Sequence, residues 1–479
     1  MRLITKNIFL NTFTCPTLGW EVAHSESGSE ELSLFDRFQM EEGIQVHERA
    51  RKLFPQGILI SGNNESAAAL TEKYLQNNDV SVIFEATFIV DGFITKADIL
   101  IREASGWKII EVKSGTKDNI DYIEDLAYTT MIAGKAGLMI SSCSLMLISK
   151  EYRLGMSDEK LFEEVECKRE VYEIIEEFSA LSAGAVALLK SKFRFKPKFE
   201  LVCKGCDCFN KCWGEIENHI FDLPRLSHTK FCQLRDMDIV SIEDIPSDFE
   251  LAKTQIPVWE AVTKGSPVID EKGLKEALSQ IEYPAYYLDF ETVTTALPLY
   301  ENICPYEKIA TQYSIHKYSA LGEGEEHLEY LADPSKECRR ELAESLIRDC
   351  GDEGTIFSYS PYEKTVINGL IGLFPDLADE LGELVDRLID LCKILSSYYY
   401  HPLFHGSYSI KKVLPVMVPG LSYEGMEVNN GSDAIAVFAR MARGEHTVEE
   451  CEQITKDLLA YCKLDTLAMV KLHEALEKL

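Results

Sequence analysis

The chain has 479 residues, with 79 acidic against 49 basic side chains and a net charge of −30. That balance excludes non-specific binding of nucleic acid over the whole surface and requires any basic groove to be local. Hydrophobic residues make up 46 % of the chain, enough for the cores of about two to four domains, and no apolar run approaches the ~20 residues needed to span a bilayer, so no membrane partner is expected.

The N-terminal stretch MRLITKNIFLNTFTCP has a short apolar patch without a long h-region or small-residue cleavage site, and reads as a cytoplasmic start. Residues 1–60 read as mainly helical, the periodic segment FDRFQMEEGIQVHERARKLFP ending at Pro55. Residues 80–113 are β-rich, in three runs: VSVIFEATFIVDGF, ADILI and WKIIEVK. Helical patterns return over 119–137 and 157–191, with a strand in SCSLMLISKEYRLG between them. In KSKFRFKPK, Phe193 and Phe195 interleave with Lys192, Arg194, Lys196 and Lys198. Such a pattern suits contact with a nucleic-acid strand, or equally an extended linker pinned by its two phenylalanines. Short helices are expected over 215–280, and a new domain near Tyr283 with the strand YPAYYLDFETV. The mixed order predicts an α/β fold in three parts: 1–214, a helical connector over 215–280, and 281–479. Acidic stretches such as SESGSEEL and GEGEEHLEY read as solvated faces, with a protein partner on the acidic surface as the alternative.

The densest chemistry lies in residues 97–113, ADILIREASGWKIIEVK. Two apolar runs flank a Ser105-Gly106 turn, a hairpin signal. Glu111 and Lys113 are two apart and so share a strand face, which Asp98 on the partner strand can join. Buried acids of this kind must pair or hold a metal, and a hard divalent cation takes carboxylate oxygens. This D…ExK arrangement resembles the RecB-like branch of the PD-(D/E)xK nucleases. The resemblance implies that Asp98 and Glu111 bind Mg²⁺ or Mn²⁺ with the Val112 carbonyl, that Lys113 serves the attacking water, and that His47, on the preceding helix, is a further metal ligand. Glu85, in FEATF, is expected to face the same site. Relatives carry a Gln-x-x-x-Tyr motif on the next helix; here Thr129 stands at the glutamine position and no tyrosine follows at +4.

Four of the 14 cysteines fall within ten residues: Cys203, Cys206, Cys208 and Cys212. Without an export signal, the CxxC spacing points to metal rather than disulfides. In certain RecB-like nucleases one cysteine before the core and three after it hold a [4Fe–4S] cluster. The likeness implies ligands Cys15, Cys203, Cys206 and Cys212, with Cys208 as substitute; Zn²⁺ is the alternative, since thiolates suit both.

A second constellation begins at Tyr287-Leu288-Asp289-Phe290-Glu291, where the two acids at i, i+2 face one side of a strand. Glu363 follows in IFSYSPYEKTVINGL, just inside a helix, and Tyr461 and Asp465 stack at i, i+4 in LLAYCKLDTLAMVKL. Four carboxylates from three distant segments suit two metal ions, with a tyrosine hydroxyl on the attacking water. The order resembles the tyrosine-type DEDD, or DnaQ-like, 3′–5′ exonucleases of the ribonuclease H-like fold, although the middle acid is glutamate here where aspartate is usual. Asp390 is a further acid, and His401 and His405 read as organisers of the loop before GSYSIKKVLP.

FEATF, EVKSGT, YLDFETV, YSPYEKT and HGSYSIKKVLP together resemble an uncharacterised family, domain of unknown function 2779, that joins a RecB-like nuclease and cysteine cluster to a DnaQ-like domain. The resemblance implies a restriction-endonuclease-type mixed sheet followed by a ribonuclease H-like domain. It implies a metal-dependent nuclease on single-stranded or frayed DNA, with RNA as the second substrate, in DNA repair or defence against mobile elements. The rival expectations are a nucleic-acid- or protein-binding module with one or both sites degenerate, and an iron–sulfur redox regulator.

Overall fold

In the computed structural model, which describes residues 3–25, 32–423 and 425–479, the chain forms two units. The first comprises Met1–Lys198 with Thr294–Glu307, the second Phe199–Val293 with Lys308–Leu479. The class is α/β, with helices on mixed sheets.

The first unit opens with helices α1 (Lys6–Thr14), α2 (Pro16–His24) and α3 (Leu34–Lys52). There follow β1 (Ile58–Leu59), α4 (Asn64–Leu75), β2 (Val82–Val90), β3 (Phe93–Glu103), β4 (Gly106–Val112), α5 (Ile120–Lys135), β5 (Ile140–Ile148), β6 (Phe162–Glu166) and α6 (Lys168–Lys190). Side chains of Ser33, Asn63 and Asn119 accept backbone N–H groups at the starts of α3, α4 and α5, which fixes where those helices begin. The six strands lie in sequence order. β2, β3 and β4 are antiparallel neighbours, and β5 runs parallel to β4 by way of α5, as a parallel pair requires. Near-continuous apolar strands follow from burial of both sheet faces. Leu100, Ile109 and Leu145 pack with Leu126 and Ile132 of α5 on one side; Ile99, Ile110 and Met146 pack with Val46 of α3 on the other.

Two local expectations are corrected. The hairpin turn is Ala104-Ser105, with Glu103 paired to Gly106. Gly106 opens β4 at φ +147°, where a Cβ would lie 2.5 Å from the Met139 carbonyl oxygen. The helix expected from 157 starts only at Lys168. The preceding FEEVE pairs with β5 as a charged edge strand, whose acids discourage further strand addition.

The second unit carries α7 (Phe209–Trp213), α8 (His228–Asp236), α9 (Ile256–Lys264), β7 (Val268–Ile269), α10 (Glu271–Leu278), β8 (Ala285–Val293), β9 (Ile309–Tyr318) and β10 (Glu326–Leu331). It continues with α11 (Arg339–Cys350), β11 (Thr355–Ser358), α12 (Tyr362–Leu373), α13 (Ala378–Asp386), β12 (Leu388–Asp390), α14 (Leu391–Tyr398), β13 (Tyr399–Tyr400), α15 (Ile410–Met417), α16 (Gly431–Ala442) and α17 (Val448–Leu476). Its main sheet has the order β10-β9-β8-β11-β12, antiparallel on the β9 side of β8 and parallel on the β11 side. Strand periodicity decides its two cores. Tyr286, Leu288 and Phe290 point to a core shared with α11 and α12, and Tyr287 points to the core shared with α17. The region 215–280 does not stand apart as a connector: Ile220, Phe231, Val258 and Leu274 share one core with Tyr287 and Leu472. The unit boundary accordingly falls at Phe199 rather than at 214, and residues 294–307 belong with the first unit. No helix among the described residues is long and apolar enough to cross a membrane.

Candidate functional site

In the first unit, sheet register alone brings three acids together. Phe84 pairs Ile99 and Ala86 pairs Ala97, which puts Glu85 opposite Asp98; Ile99 pairs Ile110, which puts Asp98 opposite Glu111. The three carboxylates thus form a row across β2, β3 and β4. Glu85 has φ +56°, a left-handed conformation that costs a non-glycine residue about 1–3 kcal/mol. The strand's alternation breaks there, so that Ile83 and Ala86 point into the same core. His47 reaches the row from α3: its Nδ1 lies 3.9 Å from Asp98 Oδ1, and ligand atoms of His47, Glu85 and Asp98 all fall within 4.8 Å of one another. The Val112 N–H donates to Asp98 Oδ2 at 2.8 Å and holds that carboxylate in place.

Lys113 faces this row, joined by two partners that carry no sequence signal. Lys6 Nζ of α1 donates to Glu111 Oε1 at 2.6 Å, and Lys113 Nζ donates to the same oxygen at 3.2 Å. Lys113 also bonds Asp125 of α5, and Lys6 lies 3.8 Å from Asp125. Glu111 is 3 % exposed, and its other oxygen, Oε2, is buried without a hydrogen-bond partner. Electrostatics follow the geometry. Burial and then the neighbouring Glu111 push Asp98 well above the usual carboxylate range. Burial alone would raise Glu111 too, but Lys6 and Lys113 outweigh it and hold that carboxyl low. Burial keeps His47 below its ordinary value, available as a neutral ligand. Thr129 is fully buried and bonded to Thr95 Oγ1 at 3.1 Å, so α5 presents Asp125 to the site and not the expected glutamine position.

In the second unit, Asp289 and Glu291 project from the face of β8 on which α17 packs, and ligand atoms of Asp289, Glu291 and Asp465 all lie within 4.8 Å of one another. Glu363, 3 % exposed in the first turn of α12, raises both Asp289 and Glu291 by its charge and accepts from Ser360 Oγ at 3.4 Å. All four sequence-derived acids therefore meet. Cys462 Sγ lies 3.5 Å from Asp289 Oδ2, and Tyr423, which sequence reasoning missed, donates its hydroxyl to Asp465 Oδ1 at 2.6 Å. Lys411 of α15 is a second omission: its Nζ sits 5.1 Å above the Tyr423 ring and 5.4 Å above the Tyr461 ring, and donates to Asn429 O. At Gly431 a Cβ would stand 3.4 Å from Glu291 Oε2, so the start of α16 closes over that carboxylate. Burial, then Asp465, pushes Glu291 up to about 8; burial pushes Glu363 up to about 7. Asp289 is raised well above the usual carboxylate range, by burial and by Asp465, Glu291 and Glu363 together. Burial raises Asp465 as well, although Tyr423 and Tyr461 hydrogen-bond it. Asp390 is placed differently: its side chain caps α14 by accepting from the Lys393 N–H. His401 accepts from the Leu403 N–H in the loop beyond β13, and His405 lies 3.9 Å from Asp222.

The cysteines fall in both units. Cys15 joins α1 to α2 in the first; in the second, Cys203 and Cys206 precede the short helix α7, Cys208 is its N-cap and Cys212 lies within it. Among the described residues, the groupings with ligand atoms within 4.8 Å are the two acidic ones, and the cysteines do not form a third.

The profile of the family described as "Domain of unknown function (DUF2779)" matches residues 286–409, which run from β8 past β13 and contain Asp289, Glu291 and Glu363. "Uncharacterized protein UU173" of Ureaplasma parvum is 24 % identical over 231 residues, 43 % of this chain and 33 % of that protein. "Uncharacterized protein MG366" of Mycoplasma genitalium is 23 % identical over 217 residues, 41 % of this chain and 32 % of that protein. The chain spans about a third of the length of the curated relatives it matches.

Proposed function

We propose that the chain is a metal-dependent nuclease that hydrolyses phosphodiester bonds of single-stranded or frayed DNA, with RNA as the second candidate. In this reading a RecB-like domain forms the first unit and a ribonuclease H-like, DnaQ-type domain lies in the second. The observation that carries the reading is the meeting of Asp289, Glu291, Glu363 and Asp465 from β8, α12 and α17, raised in pKa and opposed by a single basic side chain, Lys411, among the described residues named in their electrostatics. Such a set is costly to assemble unless a cation neutralises it. A hard, all-oxygen donor set suits Mg²⁺ or Mn²⁺. In the first unit the buried, unpartnered Glu111 Oε2 beside Asp98, Glu85 and His47 fits the same requirement.

When bound, a divalent cation would supply Lewis-acid stabilisation of the developing phosphorane charge. The chain's own residues do the rest. Asp289, Glu291 and Asp465 would hold the ion in the second centre; Tyr461 would orient the attacking water, and Lys411 would offset charge on the phosphate. In the first centre Asp98, Glu111, His47 and Glu85 would hold the ion, and Lys113, kept charged by Glu111 and Asp125, would face the scissile phosphate. The chain's own ion pairs already tie up Glu111 Oε1, and this favours a second reading for the first centre alone, as a binding site with a degenerate catalytic set. For the thiols of the second unit we propose a structural [4Fe–4S] cluster, or Zn²⁺, held by Cys203, Cys206 and Cys212 with Cys208 as the fourth ligand. Iron and acid-labile sulfide analysis of protein purified without oxygen decides between them.

The test of function is cleavage of labelled oligonucleotides with Mg²⁺ or Mn²⁺ by the wild type, Asp98→Ala, Asp289→Ala and the double variant. Cleavage lost in the double variant supports the reading; no cleavage by the wild type under either metal, or full cleavage by the double variant, overturns it.

A further inference from the structure

Residues 191–198 follow α6 and lie outside any helix or strand. They read Ser-Lys-Phe-Arg-Phe-Lys-Pro-Lys, four basic side chains in eight residues of a chain with a net charge of −30. An ordinary linker with this sequence would bury its two phenylalanines and so fasten itself to the domain. Here Phe193 is left 82 % exposed, and Phe195, though more than half covered, still shows 38 % of its surface. Two backbone carbonyls and one ion pair do the fastening. Trp20 Nε1 donates to Ser191 O at 3.1 Å, Thr17 Oγ1 to Phe195 O at 3.3 Å, and Arg194 pairs with Glu21. Ser191 Oγ both donates to Phe193 O and accepts from the Phe193 N–H. A segment anchored through its backbone while presenting aromatic rings and lysines to water forgoes hydrophobic stabilisation that burying those rings would give. That arrangement has a use where the rings stack on something that arrives.

We propose that residues 191–198 form a strap that captures single-stranded DNA, with Phe193 and Phe195 stacking on unpaired bases and Lys192 and Lys196 contacting phosphates. Three features select this occupant. The charge is complementary to a phosphate backbone and opposite to that of the rest of the chain. Exposed rings beside cations are the means by which proteins hold single strands without reading their sequence, and a duplex keeps its base faces out of reach. The choice of DNA rests on the nuclease reading above.

Binding of a fluorescein-labelled single strand of about 16 nucleotides to the full chain, followed by anisotropy in EDTA, separates capture from cleavage. Stacking is worth about 1–3 kcal/mol per base, so the Phe193→Ala/Phe195→Ala variant is expected to bind at least about fivefold more weakly. Each phosphate contact on a single strand contributes about 0.7 to the slope of log affinity against log salt, so Lys192→Gln/Lys196→Gln is expected to lower that slope by about 1.4. Both variants should melt like the wild type, because the altered side chains are exposed. The strap is overturned if both variants bind as the wild type does, if the wild type binds duplex as well as single strands, if RNA of the same sequence binds more tightly, or if polyglutamate displaces the strand as well as unlabelled DNA does. Capture lost in the variants while neither centre cleaves under Mg²⁺ or Mn²⁺ sinks the nuclease reading and leaves the strap; cleavage together with unchanged capture sinks the strap alone.

Discussion

Around Glu111, carboxylates and cations alternate: Lys6 and Lys113 share one oxygen of Glu111, both reach Asp125, and Arg51 stands 3.8 Å from Glu85. Around Asp289, Glu291, Glu363 and Asp465, the one basic side chain named in their electrostatics among the described residues is Lys411, which lowers Glu291 and Asp465. The ligand chemistry of the two centres is alike, but their charge backgrounds differ, and the pKa directions record it. In the first centre Glu111 is held low although Asp98 and Glu85 beside it are raised, whereas in the second every one of the four acids is raised. A prepaid centre tolerates the absence of a cation; an unpaid one is stabilised when a cation arrives.

The largest expected break in this comparison is kinetic. Asp289→Ala should lower cleavage by about a thousandfold or more, since a lost metal ligand removes several kcal/mol of transition-state stabilisation at 1.36 kcal/mol per factor of ten. Asp98→Ala should cost less if the first centre mainly binds; single-turnover rates on one labelled strand rank the two.

Stability should move in opposite directions. Without added metal, Glu111→Ala leaves Lys6 and Lys113 short of a partner and should destabilise the chain by about 2 kcal/mol, below the 3–5 of a fully buried pair because both lysines retain some solvent contact. Glu291→Gln is neutral without holding a proton, so it removes the cost of keeping Glu291 protonated in the fold and should stabilise the metal-free chain by at least about 1 kcal/mol at neutral pH. Urea midpoints with EDTA present check both, and equal signs would erase the distinction.

The pH profile sharpens it. Glu291 and Glu363 are raised from an ordinary 4.5 to about 8 and about 7, so the folded chain keeps protons that the unfolded chain has released. Metal-free stability therefore falls as pH rises through that window. Buried His316 and His473, lowered to about 4, act the other way between their ordinary 6.5 and about 4, because the unfolded chain takes up protons that the folded one refuses. The difference between wild type and Glu291→Gln isolates the acid: it should widen from about pH 5 to about pH 8 in urea melts, and a flat difference would remove Glu291 from the centre.

The smallest effect is a control for placement. Thr447 and Glu450 form a capping box at the start of α17, and Thr447→Ala should cost about 1 kcal/mol in thermal melts while leaving metal affinity unchanged, since Asp465 lies five turns further along the helix.

How much of this was legible in the sequence depends on whether a residue's partners are local. Asp98 and Glu111 lie on strands joined by a short turn, Lys113 directly follows the second of them, and Asp289 and Glu291 share a strand face; periodicity two finds them. The pairing of Tyr461 with Asp465 follows from the helical turn. Lys6, Asp125, Lys411 and Tyr423 were invisible because nothing local marks them: each meets its site through tertiary packing, Lys6 across 105 residues from Glu111 and Tyr423 across 42 from Asp465. The sequence does not mark the edge strand β6, because FEEVE is short, acidic and followed at once by the periodic α6. The short helices of 215–280 carry few strong motifs and so suggest a connector, yet Phe231 and Val258 are core residues.

Manganese titration by calorimetry at pH 7.5, on the wild type, Asp98→Ala and Asp289→Asn, tests most directly whether the second centre is the unpaid one. The expected result is binding with proton release in the wild type, retained in Asp98→Ala and lost in Asp289→Asn. Binding that survives Asp289→Asn and disappears in Asp98→Ala, or no binding at all, would contradict it.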